Sequence, residues 1–229
     1  MKILLTLTSA LCLSASTWAA GDPLWMRYPA ISPDGKTVAF TYKGDIYTVP
    51  AEGGRAMQLT THPAYDTRPV WTPDGRQIVF ASNRDGDFSV YAVSRDGGVP
   101  RRLTTHSAAE YPEAVTSDGR VLYSANIQPD RMDSQFPSGQ FPQIYSVSLD
   151  GGRPELYSSL AMQNLSLSPK GDRLLYHDMK GYEDPWRKHH QSSITRDIWL
   201  CDLSAADRTY QKLTSFKGED RNPVWRPDG

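Results

Sequence analysis

The sequence predicts an all-β β-propeller of four-stranded blades, and three observations carry that prediction. A turn of the form x-Pro-Asp-Gly recurs along the chain, and apolar strands recur in register with it. No stretch after the first residues shows a helical period.

The turn comes first in the argument because it sets the phase of everything else. Ser32-Pro33-Asp34-Gly35 returns as Thr72-Pro73-Asp74-Gly75, Thr116-Ser117-Asp118-Gly119, Ser168-Pro169-Lys170-Gly171 and Arg226-Pro227-Asp228-Gly229. Proline presets φ, aspartate can bond backbone two residues on, and glycine accepts the left-handed geometry that closes a hairpin. A short strand precedes the turn, as in Pro69-Val70-Trp71 and Pro223-Val224-Trp225. An apolar strand follows it: Val38-Ala39-Phe40, Ile78-Val79-Phe80, Val121-Leu122-Tyr123 and Leu174-Leu175-Tyr176. The third strand repeats as Asp45–Val49, Ser89–Val93, Gln143–Val147 and Asp197–Cys201. A Gly-Gly turn follows the first three copies, and a Leu-Thr pair (Leu59-Thr60, Leu103-Thr104, Leu213-Thr214) reads as a fourth strand. Four short strands joined by tight turns make one propeller blade, and strands apolar on both faces suit blades that stack.

The units fall at roughly 24–62, 63–106, 107–159 and 160–215, with the first strand of a fifth at 216–229. On this reading the propeller is truncated. The turns lie 40, 44, 52 and 58 residues apart, and 40 is near the minimum for a blade. The extra length of the later units falls between second and third strands, in Asn126–Pro142 and His177–Arg196. In an antiparallel blade that loop emerges at the same end as the connector to the next blade, so one face of the disc gathers the long loops. Long loops on a rigid scaffold are where binding resides.

Residues 1–20 read as a signal peptide: Lys2, then an apolar stretch from Ile3 to Leu13, then small residues to Ala19 and Ala20. The stretch is too short to span a bilayer, which takes about 20 apolar residues. Cleavage after Ala19 and after Ala20 both stay open, and a lipid anchor on Cys12 is the minor alternative. The expected location is periplasmic or secreted, with no membrane span. Cys201 is then the sole cysteine, so no intrachain disulfide forms. A net charge of −1 argues against a nucleic-acid partner, which calls for a basic face.

No Gly-x-Ser-x-Gly elbow and no Gly-rich phosphate loop occurs. Cys201 reads as a buried structural cysteine. The densest polar group is His177, Asp178, Glu183, Asp184, His189 and His190. Metal binding needs three or four of these to converge, and the sequence favours a solvated contact loop, with no metal and no cofactor. Tyr182, Glu183, Asp184, Trp186, Arg187, His189 and His190 are the candidate contact residues, since aromatics beside cations anchor recognition. Asp66, Glu110 and Asp220 each precede an inner strand and are expected to serve backbone amides at the turn. His62 and His106 recur in register and read as parts of the repeat.

Taken together, the x-Pro-Asp-Gly turn, the Ile-Tyr or Ile-Trp strand and the Leu-Thr pair resemble the repeat of TolB and of tricorn-type proteases. The segment Lys180–His190, continued through Ser192–Trp199, resembles the amino-terminal propeller of bacterial tricorn-like serine peptidases, as does Phe216–Pro223. That resemblance covers the mature chain. It implies a propeller that guides or filters peptides, ahead of a PDZ domain and a serine peptidase domain in a longer protein. Neither domain lies in these residues, so the resemblance places no catalytic residue here, although the full-length family is a serine peptidase. The partners implied are a peptide or protein substrate and downstream domains of the same polypeptide, with a homo-oligomer conceivable for the full-length protein. Two rival readings stay open: a stand-alone TolB-like periplasmic protein-binding propeller, and the propeller of a prolyl-oligopeptidase-like enzyme.

Overall fold

The computed structural model describes residues 25–127, 141–180, 194–205, 207–226 and 229. The signal segment and most of both long insertions, including the contact residues Tyr182 to His190, lie outside the described residues. Four antiparallel sheets of four strands make four blades, and there is no helix among the described residues. Blade 1 holds β1 (Arg27–Ile31), β2 (Thr37–Tyr42), β3 (Asp45–Pro50) and β4 (Met57–Gln58). Blade 2 holds β5 (Asp66–Trp71), β6 (Gln77–Ser82), β7 (Ser89–Ser94) and β8 (Arg101–Arg102). Blade 3 holds β9 (Glu110–Val115), β10 (Arg120–Ala125), β11 (Gln143–Ser148) and β12 (Glu155–Ser158). Blade 4 holds β13 (Met162–Leu167), β14 (Arg173–Asp178), β15 (Ile198–Asp202) and β16 (Thr209–Lys212). The first strand of each blade is innermost, and β1, β5, β9 and β13 neighbour one another in turn.

The recurring turn works as its residues require. Asp34 accepts from the Lys36 amide at 3.1 Å, and Asp74 accepts from the Arg76 amide at 3.0 Å. Ser32 and Thr72 hydroxyls accept from the amides of Thr37 and Gln77, which closes each hairpin. Gly35 and Gly75 sit at φ 69° and 67°, where a side chain is strained. The bonds from Ser32 and Thr72 hold the carboxyls of Asp34 and Asp74 below the usual carboxylate range.

The Leu-Thr pair lies just beyond the fourth strand instead of forming it. β4 and β8 end at Gln58 and Arg102. The leucine amide still bonds the third strand, Leu59 to Ile46 and Leu103 to Val90, each at 2.8 Å. The threonine hydroxyl then accepts the third strand's amide: Ile46 to Thr60, Val90 to Thr104, Ile198 to Thr214, at 2.9–3.0 Å. A side chain thus finishes a ladder that the backbone has left.

Each blade is apolar on both faces, because alternate residues of its middle strands point to opposite neighbours. Ile78 and Phe80 pack back on Ala39, Ile46 and Leu59 of blade 1, while Val79 and Val90 pack forward on Val115, Val121 and Tyr123 of blade 3. Leu122 and Ile144 in turn meet Leu174, Tyr176 and Cys201 of blade 4. Each such Leu, Ile or Val contributes about 1.5–3 kcal/mol by leaving water. Phe40/Tyr47, Phe80/Tyr91 and Tyr123/Tyr145 face each other across the second and third strands, with ring centroids 5.8–6.0 Å apart. Cys201 is buried in the last of these cores, and burial pushes its thiol up.

The start of the fifth unit departs from expectation. Residues 221–226 form no strand, and among the described residues no second strand lies beside them to make a ladder. They dock on blade 4 by other means: Trp225 Nε1 donates to the Ser166 carbonyl at 2.9 Å. Trp71 makes the same bond to Ala30 at 2.9 Å, so this indole is how one unit hooks onto the inner strand before it. A second stitch joins units at the loop-bearing face. The amides of Asp66, Glu110 and Asp220 donate to the carbonyls of Gly44, Phe88 and Arg196, each in the preceding unit.

Candidate ligand site: the channel and its loop-bearing mouth

Every inner strand carries a bulge, seen as a register shift at Arg27/Ala30, Thr67/Val70, Pro112/Ala114 and Gln163/Ser166. A bulge bends the strand and re-aims a side chain. Here it turns the residue four before the recurring turn toward the centre. Tyr28, Arg68, Asn164 and Asn222 hold that place with φ of 52–57°, a region uncommon outside glycine. Pro112 holds it in blade 3, where its ring forbids positive φ. All five line one cavity of about 380 Å³ along the inner strands.

A second cavity of about 540 Å³ opens where the connectors and the second-to-third-strand loops gather, lined by Tyr111, Asn126, Pro142, Gln163 and Met179. Arg68, Glu113 and Asn164 line both cavities. The Arg68 guanidinium lies 4.3 Å from the Tyr111 ring centroid and 5.6 Å from that of Tyr28. Glu113 accepts from Ser124 Oγ at 2.9 Å and from the Leu165 amide at 3.4 Å. Burial raises its carboxyl above the usual range, against the pull of Ser124 and of nearby Arg68. Sequence reasoning missed these three residues. For Arg68 and Asn164 the available signal was the position four before each turn, which changes from unit to unit; Glu113 carried none.

The base of the fourth-unit insertion is described although its tip is not. Asp197 is clamped by Lys180 and by Lys212 (2.8 Å), and Lys180 also donates to the Thr195 carbonyl at 2.8 Å. Asp178 accepts from the Asp197 amide and from Trp199 Nε1. His177 and Asp178 belong to β14, not to the insertion, and both are occupied by the blade. Among the described residues no group of three His, Cys, Asp or Glu is placed to hold a metal.

His177 is buried and bridges units: its Nε2 faces Gln163 Oε1 at 3.2 Å, and its Nδ1 accepts from the Asn222 amide at 3.3 Å. The second bond needs the neutral ring, since only an unprotonated Nδ1 can accept. Burial first, then Arg196 and Arg221, press its pKa from 6.5 down to about 4. The folded value lies below the unfolded one, so this stability is complete above pH 6.5 and lost as pH falls toward 4. The loss amounts to roughly 3 kcal/mol. We expect urea unfolding to show the difference between the parent chain and His177→Gln shrinking by about that amount from pH 7 to pH 4.

Asp66 and Glu110 do not serve turn amides. Asp66 is fully buried, and both its oxygens accept from Arg84 Nη2, at 3.0 and 2.9 Å. Glu110 is equally buried, yet neither oxygen closes a hydrogen bond of normal geometry. His62 and His106 do behave as parts of the repeat: each Nδ1 caps its own connector through the amide of Ala64 or Ala108.

With this geometry established, comparison with known proteins decides the family. The model of the tricorn protease N-terminal β-propeller domain matches residues 23–229. The chain belongs to this family. Tricorn protease homolog 1 of Streptomyces coelicolor is 36% identical over 64 residues, which is 28% of this chain and 6% of that protein. The crystal structure of the tricorn protease superposes with a TM-score of 0.64 at 17% identity, over 87% of this chain and 19% of that one. TolB from Acinetobacter baumannii gives 0.61 at 21% identity, over 87% of this chain and 45% of that one. At such identities the two structures speak for the fold of the tricorn-type propeller alone. The match spans under a tenth of the Streptomyces protein's length. No helix of the described residues is long and apolar enough to cross a membrane.

Proposed function

We propose that the chain is the non-catalytic propeller segment of an exported tricorn-like serine peptidase, and that its channel receives peptide on the way to a catalytic domain elsewhere in the longer protein. The observation that carries this reading is the pair of adjoining cavities that share Arg68, Glu113 and Asn164, one along the inner strands and one at the mouth where the loops gather. Export is supported by the apolar leader of residues 1–20. Contact with further domains or blades is supported by exposed Trp25, Met26, Ile31, Phe216 and Val224, since large apolar patches mark surfaces that are covered. The insertion residues Tyr182, Glu183, Asp184, Trp186, Arg187, His189 and His190 remain the proposed contacts at the loop-bearing face.

The test compares peptide hydrolysis by this chain and by the longer protein. Only the longer form is expected to cleave, with block by a serine-directed inhibitor. Asn164 is exposed and lines the channel, and the same place in blade 1 holds an aromatic ring, Tyr28, so Asn164→Trp in the longer protein narrows it without disturbing a core. That variant is expected to lower kcat/KM for long peptides by about tenfold, roughly 1.4 kcal/mol of transition-state stabilisation, and to spare dipeptides. Cleavage by the short chain, or equal loss for both substrates, would overturn the reading.

A further inference from the structure

We propose that Arg68 is a carboxylate-binding subsite between the two cavities, reading a carboxylate group on the peptide that enters the channel; this rests on the channel reading above. Among the described residues seven arginines are half-buried: Arg68, Arg84, Arg95, Arg102, Arg120, Arg196 and Arg208. Six of them spend guanidinium hydrogens on protein acceptors. Arg68 makes no hydrogen bond and no ion pair with any described residue; its contacts are the faces of Tyr111 and Tyr28. A guanidinium taken partly out of water with its donors unbonded is costly, so its placement suits an anion that arrives from outside.

The surroundings fit that role. Stacking on Tyr111 fixes the plane of the guanidinium and leaves its edge donors free, the geometry in which arginine grips a carboxylate with two parallel bonds. The backbone that presents it is held at φ 53°, and strain of this kind in a non-glycine residue gathers at ligand clamps. Glu113 shares both cavities and acts on Arg68 at a distance, but it makes no ion pair with the guanidinium, its oxygens accepting instead from Ser124 Oγ and the Leu165 amide. The carboxyl of Glu113 also holds its proton more tightly than usual, which lessens the repulsion an incoming anion would meet.

The experiment measures binding of three probes to the chain and to its Arg68→Gln variant. The probes are acetyl-hexa-alanine with a free C-terminal carboxylate, the same peptide as its C-terminal amide, and that amide with glutamate at the third position. At least one carboxylate-bearing probe is expected to bind about tenfold tighter than the plain amide, and which one does so tells a terminal from a side-chain carboxylate. Arg68→Gln is expected to erase the preference and leave the plain amide within about twofold of its parental affinity. Equal binding of acid and amide by the parent chain overturns the proposal, as does a preference that survives Arg68→Gln. If no peptide binds, the channel reading falls, and the subsite is judged by acetylglycine against acetylglycinamide. A saturable shift of the Arg68 Nε–Hε resonance with the acid alone upholds it; no shift, or the same shift with both, overturns it.

Discussion

Replacing Asp66 by alanine is expected to lower the unfolding free energy by about 3–5 kcal/mol, the penalty for leaving a buried charge without its partner. Asp66 is wholly inaccessible, and the Arg84 side chain is only 12% exposed. Arg84 also lies 4.7 Å from the Tyr91 ring centroid and 5.6 Å from that of Phe80, and its Nε donates to Ser82 Oγ at 2.9 Å. Removing the aspartate therefore strands a guanidinium that packing holds in place. Changing Asp66 and Arg84 together to leucine is expected to recover most of the loss, because a well-packed apolar pair avoids the desolvation cost. Urea titrations at pH 7 read both variants. A loss below about 1 kcal/mol for Asp66→Ala would mean that the pair behaves as a solvated surface bridge.

The equivalent position in the next unit should respond with the opposite sign. Glu110 starts β9 as Asp66 starts β5, but the residue two places beyond the following strand is Ile127 where blade 2 has Arg84. Without that cation, burial raises the Glu110 carboxyl from 4.5 to about 7, and Thr104, Arg102 and Tyr123 only temper the shift. The folded state keeps a proton that the unfolded chain has lost, so stability falls as pH rises from 4.5 to about 7 and then stays level. The decline is roughly 3 kcal/mol. Glu110→Gln is expected to match the parent within about 1 kcal/mol at pH 4.5 and to exceed it by about 3 kcal/mol at pH 8. Ile127→Arg should flatten the parent's pH dependence by supplying the missing partner. A glutamine variant that loses stability at pH 8 would show that Glu110 is ionised and well solvated there.

Much of the blade architecture was legible because it is written locally. The turn needs only Asp34, Gly35 and Ser32 within a few residues, and the aromatic pairs follow from two strands joined by a short hairpin. The Leu-Thr pair was half legible: its period placed it at the end of each unit, while the hydroxyl's role as a substitute rung depends on a strand about 14 residues earlier. The acidic residues were misread for the same reason. Asp66 finds Arg84 across two strands, and nothing near it in sequence announces a guanidinium. Arg68 and Tyr111 belong to different blades and meet only because the blades stand around one centre, so no spacing rule could join them. The insertion around Trp186 was legible as extra length and composition, which say where a loop leaves the blade and not what it touches.

The stitch between units gives the propeller a direction in time. In the first, second and fourth units the second-to-third-strand loop offers a carbonyl (Gly44, Phe88, Arg196) to an amide at the start of the unit that follows, so in each stitch the acceptor lies upstream of the donor. Ribosomes add about 5–20 residues per second, so a unit of some forty residues takes a few seconds to emerge. A hairpin closes in about 1–10 μs. A completed blade thus waits, with its docking carbonyl and apolar face formed, for a successor that is still being synthesised, and translation itself sets the order in which the blades are added.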